Sequence, residues 1–362
     1  MTKELLMTLG PVQMEQDILN AGNRQVPYPR TPEYSAWYAS INADLQYLFQ
    51  TKRPVFTVTC SGTGVLQMAT DNLCSPEDSV LTFATGTFGK RWGNILHAAG
   101  VTVLEQPMQA GTNVTPELLA PLLEQYPEAK TVFLTYNETS TTALADVEGC
   151  AALLRDTDRL LVVDAVSALL AEPLRMDEWG VDVVLTSSQK ALALPPGLGF
   201  IAFSEKAWER VLSRPSRSFY FDARAYMHEW QRNQVPFTPS LSVVLQLKER
   251  LSAIREEGLS AIYMRYSNLT ARLRNGLRSL GFTFLSSHMG NCTTAVCVPD
   301  DIDAKALADK ARLEKKIILG SPYPGSNSFR IGNFGAISEE DIDSCLERLG
   351  EALNELRAKK GA

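Results

Sequence analysis

Between residues 54 and 203 the chain repeats one pattern. A short run of apolar and β-branched residues is followed by small or polar residues. A stretch with apolar positions three and four apart then follows. The runs at 54–59, 79–84, 101–104, 131–136, 159–163, 181–185 and 200–203 predict strands. The amphipathic stretches at 65–73, at 87–100, at 115–126 and at 147–155 predict helices. Strands alternating with helices imply a mostly parallel sheet covered by helices, an α/β fold. Further helices are expected at 15–23, from Thr31-Pro32 onward, where the proline suits a first turn, and as one long segment at 242–280. Residues 213–234 read as irregular. Past residue 263 the pattern changes. Runs at 282–285 and 293–298 alternate like antiparallel strands, with a helix at 303–313, a short strand at 317–319 and a closing helix at 338–359. The expected division is a large unit of residues 15–260 and a smaller α+β unit of residues 1–14 and 261–362.

Two of the strand ends carry candidate chemistry. Lys190 follows the 181–185 run, with no acidic residue within five positions on either side. Among small and apolar neighbours its ammonium form loses hydration, and the neutral amine becomes a nucleophile suited to Schiff-base chemistry. Taken alone, Lys190 reads more readily as a surface lysine in a loop between two strands. Asp164 ends the strand Leu160-Leu161-Val162-Val163. A lysine and an aspartate at the ends of neighbouring parallel strands fit pyridoxal phosphate: the lysine takes its aldehyde and the aspartate pairs with its ring nitrogen. Upstream, Cys60-Ser61-Gly62-Thr63-Gly64 joins a strand to a helix, where backbone N–H groups can wrap a phosphate. A plain tight turn has the same sequence.

Ser187-Ser188-Gln189-Lys190-Ala191-Leu192 with Pro195-Pro196-Gly197 resembles the cofactor-lysine segment of the class V, fold type I, pyridoxal-phosphate-dependent aminotransferases. The alanine–glyoxylate and serine–glyoxylate enzymes are the most similar in that segment. The resemblance runs over nearly the whole chain. It implies that Ser61, Gly62, Thr63, Phe88, Thr139, Asp164, Val166, Gln189 and Lys190 meet the cofactor, with Lys190 also catalytic. Phe88 takes the ring-stacking place where many glyoxylate enzymes have tryptophan; a phenyl ring stacks but offers no indole N–H. Thr142 stands where the family's Glu-Ser/Thr-Ser/Thr-Thr run usually closes on glycine. Thr238, after Pro236-Phe237, would reach the phosphate of a neighbouring subunit's cofactor, which implies a homodimer. Gly10, Arg30 and Arg330 are the implied substrate residues, Arg330 as a planar fork for a carboxylate.

Two substrate classes follow. The lysine segment points to a small amino donor with glyoxylate or pyruvate as the 2-oxo acid. Phe329-Arg330-Ile331-Gly332-Asn333, together with 216–238, resembles the 2-aminoethylphosphonate–pyruvate transaminases, for which Arg30 and Arg217 would supply added cations. Cysteine desulfurase, another relative on this fold, needs a nucleophilic cysteine that residues 320–327 lack. A cofactor-free binding protein on a degenerate fold is the non-enzyme alternative. Retention of Lys190, Asp164 and Arg330 together argues against it.

Composition changes this picture little. A length of 362 residues suffices for a large core and more than one domain. No eighteen-residue apolar stretch predicts a membrane span, and the first residues do not read as a secretory signal. The net charge of −6 disfavours nucleic acid as a partner. The six cysteines lack C-x-x-C spacing, so free thiols in a cytoplasmic, reducing setting are expected. His97, His228 and His288 have no metal-ligand spacing.

Overall fold

The computed structural model describes residues 3–360. The chain begins with β1 (Leu5–Met7), α1 (Gln16–Gly22) and α2 (Pro32–Phe49). Thr31 caps α2 by accepting from Tyr34 N at 3.1 Å. The α/β alternation then runs through β2 (Val55–Val58), α3 (Gly62–Leu73), β3 (Ser79–Ala84), α4 (Thr87–Ala98), β4 (Thr102–Pro107), α5 (Pro116–Gln125), β5 (Ala129–Thr135), α6 (Val147–Leu154), β6 (Leu160–Asp164), α7 (Met176–Trp179), β7 (Val183–Ser187) and β8 (Gly199–Phe203). Among the described residues these strands form one seven-stranded sheet in the order β2-β8-β7-β6-β5-β3-β4. Only β8 runs against its neighbours.

Period-two alternation with both faces covered explains why the inner strands β6, β7 and β8 are buried at every position. Leu161 and Val163 of β6, Val184 of β7 and Phe200 of β8 join one core. Leu160, Val162, Val183, Leu185 and Ile201 join the core on the opposite face, which α3 covers with Val65, Leu66, Met68 and Ala69. Both faces are dry, and each such side chain contributes about 1.5–3 kcal/mol of burial. The same alternation puts Asp164 and Ser187 on the face that α3 covers, at the carboxyl ends of β6 and β7.

The chain continues through α8 (Glu205–Leu212), α9 (Ala223–Trp230), α10 (Leu241–Glu257), α11 (Leu259–Ser279), β9 (Thr283–Phe284), β10 (Thr293–Cys297), α12 (Ala304–Leu313), β11 (Ile317–Leu319), β12 (Ser328–Gly332) and α13 (Glu339–Lys360). The sheet β12-β10-β9 is antiparallel. β1 pairs in parallel with β11 and adds Leu5 and Met7 to a third core. α11 enters two cores: Leu259, Ile262 and Tyr266 pack with the large one, Leu269, Leu273 and Leu277 with the C-terminal one.

Three sequence expectations change. The supposedly irregular 213–234 contains α9, whose cap is Asp222, accepting from Arg224 N at 3.1 Å. β1 was not expected; its partner lies 312 positions away in sequence, Leu5 facing Ile317, beyond any local signal. The single helix expected at 242–280 is two helices, broken at Gly258 with φ 81° and ψ 142°.

That break generates a prediction. Gly258→Ala is expected to cost about 1–3 kcal/mol through backbone strain alone, since nothing stands within 4 Å of the added methyl. Thermal unfolding beside the wild type measures it; an unchanged midpoint contradicts the strain.

Candidate active site

The carboxyl ends of β6 and β7 and the first turns of α3 and α4 enclose a cavity of about 320 Å³. Gly10, Ser61, Gly62, Thr63, Phe88, Asp164, Val166, Gln189 and Lys190 all line it, with Leu66 and Arg91. Strand ends meeting helix starts is the usual place for ligands on such sheets. Leu66 and Arg91 escaped the sequence reading, although each lies within one helical turn of a residue it singled out, Leu66 four after Gly62 and Arg91 three after Phe88.

Lys190 is 8% exposed. Its Nζ donates to the Leu9 carbonyl and lies 5.9 Å from the Phe88 ring centroid. Burial pushes the amine down to about 8, and the Arg330 and Arg91 cations add to the shift. Asp164 is 3% exposed, and its Oδ1 accepts from Val166 N at 2.9 Å. Burial raises its carboxyl to about 6 against the pull of that bond, and Glu138 adds to the rise. Gly10 holds a φ of 109°, and a Cβ there would stand 2.7 Å from the Gln189 carbonyl oxygen, so only glycine lets the N-terminal segment pass this close.

A buried carboxylate ties the Phe88 turn to the loop after β5. Glu138 Oε2 accepts from Phe88 N at 3.0 Å and Gly89 N at 2.8 Å, and its Oε1 accepts from Ser140 N and Oγ at 2.9 and 2.6 Å. These bonds satisfy donors at the start of α4 and place Phe88 against the cavity. In the same loop Thr142 adopts φ 64° without being glycine. Its Oγ1 accepts from Ala295 N at 3.3 Å, anchoring the left-handed turn to β10.

The other sequence candidates lie outside the cavity wall. Thr139 is buried, with its Oγ1 2.6 Å from Ser167 Oγ. Arg330 donates to the Thr139 carbonyl at 3.1 Å and to the Ser321 carbonyl at 2.7 Å. Arg30 donates to Gln234 Oε1 at 3.0 Å and to the Val235 carbonyl at 2.7 Å, beside a separate depression. Arg217 donates to the carbonyls of Cys74 and Ala99 at 3.3 and 2.6 Å. Thr238 is exposed.

The Lys190 environment predicts a pH signature in cofactor-free protein. The folded pKa lies below the unfolded one, so charging the buried amine costs stability at neutral pH. That cost fades as pH rises from about 8 to 10.5. Wild type is therefore expected to gain up to about 3 kcal/mol across this window relative to Lys190→Met. Urea unfolding of both proteins at several pH values measures the difference; parallel pH profiles would contradict it.

Over residues 17–321 the sequence matches the family described as Aminotransferase class-V. An uncharacterized aminotransferase from Methanocaldococcus jannaschii is 31% identical, with 98% of this chain and 94% of the relative covered. A serine–glyoxylate aminotransferase from Arabidopsis thaliana is 33% identical, with 94% and 88% covered. The crystal structure of an alanine–glyoxylate aminotransferase from Nostoc sp. matches with a TM-score of 0.93 at 28% identity, over 98% of this chain and 96% of that one. The chain belongs to the class V aminotransferases and is a transaminase.

Proposed function

We propose that this transaminase uses pyridoxal phosphate to move an amino group from a small donor of alanine or serine type to a 2-oxo acid such as glyoxylate or pyruvate. The observation that carries the reading is the meeting of Lys190, Asp164, Phe88 and the start of α3 around one cavity. Its walls fit the cofactor. A depressed amine suits the aldehyde, and a buried carboxyl with one backbone donor suits a protonated ring nitrogen. Ser187 Oγ and Gln189 Oε1 are buried without a hydrogen-bond partner, and the open first turn of α3 offers backbone N–H groups to a phosphate.

When bound, pyridoxal phosphate supplies a carbonyl that takes up the amino group and a ring that accepts the electron pair left at the donor α-carbon. Lys190 Nζ holds the cofactor, and once displaced takes a proton from the donor α-carbon as general base. Asp164 keeps a proton on the ring nitrogen. Phe88 contributes about 0.5–1.5 kcal/mol of stacking. Arg330, its guanidinium partly desolvated, grips the carboxylates of donor and acceptor in turn. The phosphonate alternative is weakened because Arg30 and Arg217 are engaged by carbonyls away from the cavity, whereas Arg330, though also bound to carbonyls, stands close enough for its charge to lower the Lys190 amine.

A homodimer is part of this reading. Thr238 is exposed beside aromatic surface: Tyr220 and Phe237 stack with centroids 4.7 Å apart, and Phe219 is 87% exposed. A second copy covering this face would bring Thr238 toward its own cofactor. The six free cysteines suit a reducing, cytoplasmic setting.

Two measurements test the proposal. In single turnover, alanine or serine is expected to discharge the cofactor absorbance and glyoxylate or pyruvate to restore it, while 2-aminoethylphosphonate leaves it unchanged. Discharge by the phosphonate alone overturns the substrate class. Light scattering is expected to give twice the 39.9 kDa of one chain; a stable, active monomer would rule out the shared site.

A further inference from the structure

Arg91 shares the cavity wall with Asp164, whose carboxyl its charge pulls down, but makes no salt bridge with it. It and Lys190 are the cations of the cavity wall. Its Nη1 donates to Thr63 Oγ1 at 3.1 Å, and its Cζ stands 4.6 Å from the Phe88 ring centroid. Among the described residues it forms no ion pair. The guanidinium thus bridges the first turn of α3 and the stacking ring of α4.

A second, independent feature lies across the same turn. Ser187 Oγ is buried without a hydrogen-bond partner, and the residue is 1% exposed. It lies 3.2 Å from the point where a Gly62 Cβ would stand. An unsatisfied hydroxyl on the sheet side and a guanidinium fork without a salt bridge on the α4 side therefore frame the open N–H groups of Gly62 and Thr63. Such a frame lacks an anion. A phosphate accepts from backbone N–H groups at a helix start and takes two bonds from one guanidinium.

We propose that Arg91 is a binding residue for the cofactor's phosphate, closing the cradle of α3 from the α4 side while its plane steadies Phe88. This rests on the pyridoxal phosphate reading. Lysine in its place would carry the charge without the planar fork.

The test compares pyridoxal phosphate with pyridoxal, which has the same ring and aldehyde but no phosphate. Wild type, Arg91→Ala and Arg91→Lys are stripped of cofactor, and each compound is rebound by equilibrium dialysis. Arg91→Ala is expected to weaken pyridoxal phosphate at least about tenfold, as for loss of a charge-assisted bond. Arg91→Lys should fall between, and in both variants pyridoxal should lose less than pyridoxal phosphate, only as much as the loosening of Phe88 accounts for. Arg91 is partly exposed, so both variants are expected to fold. Equal losses for the two compounds would show that Arg91 acts only through Phe88, and no loss would show that it does not bind; either overturns the proposal. Wild type that takes up neither compound refutes the cofactor reading itself, which separates that failure from failure of the Arg91 role.

Discussion

Taking an amine and a carboxyl out of water at the ends of two neighbouring strands is the constraint on which the site depends. β6 and β7 are buried along their whole length, so whatever ends them starts from a dry position. Desolvation moves Lys190 and Asp164 in opposite directions, each toward its neutral form. An uncharged amine is a nucleophile, and a carboxyl that resists ionisation gains most from a cationic partner. In such surroundings fixed charges act with less screening than in water. The cost of burial is thus what makes the two groups responsive to a ligand.

Holding that arrangement takes contributions from distant parts of the chain. Glu138 binds the start of α4 to the loop after β5, so Phe88 cannot shift without breaking bonds to a buried carboxylate. β1 belongs to the C-terminal core, yet the segment that follows it brings the Leu9 carbonyl and Gly10 onto Lys190. Arg330 extends from that same core to the Thr139 carbonyl. The C-terminal core therefore touches the cavity region from two sides, and α11, packed into both cores, joins it to the large sheet.

The sequence by itself determined the α/β alternation, because strand and helix periods are written in neighbouring residues. It also marked Lys190 and Asp164, since each stands where an apolar run ends. The left-handed turn at Thr142 was marked only by the family's usual glycine, since the threonine itself carries no such signal and its anchor is on β10. The break at Gly258 was hidden by continuous apolar spacing on both sides. Only the tertiary structure decided that Arg91 faces the same cavity as Lys190, ninety-nine positions on, and that Arg30 and Arg217 serve carbonyls elsewhere. A side chain's nearest charge or carbonyl is set by how sheet and helices pack, and that packing joins residues whose separation along the chain carries no periodic trace.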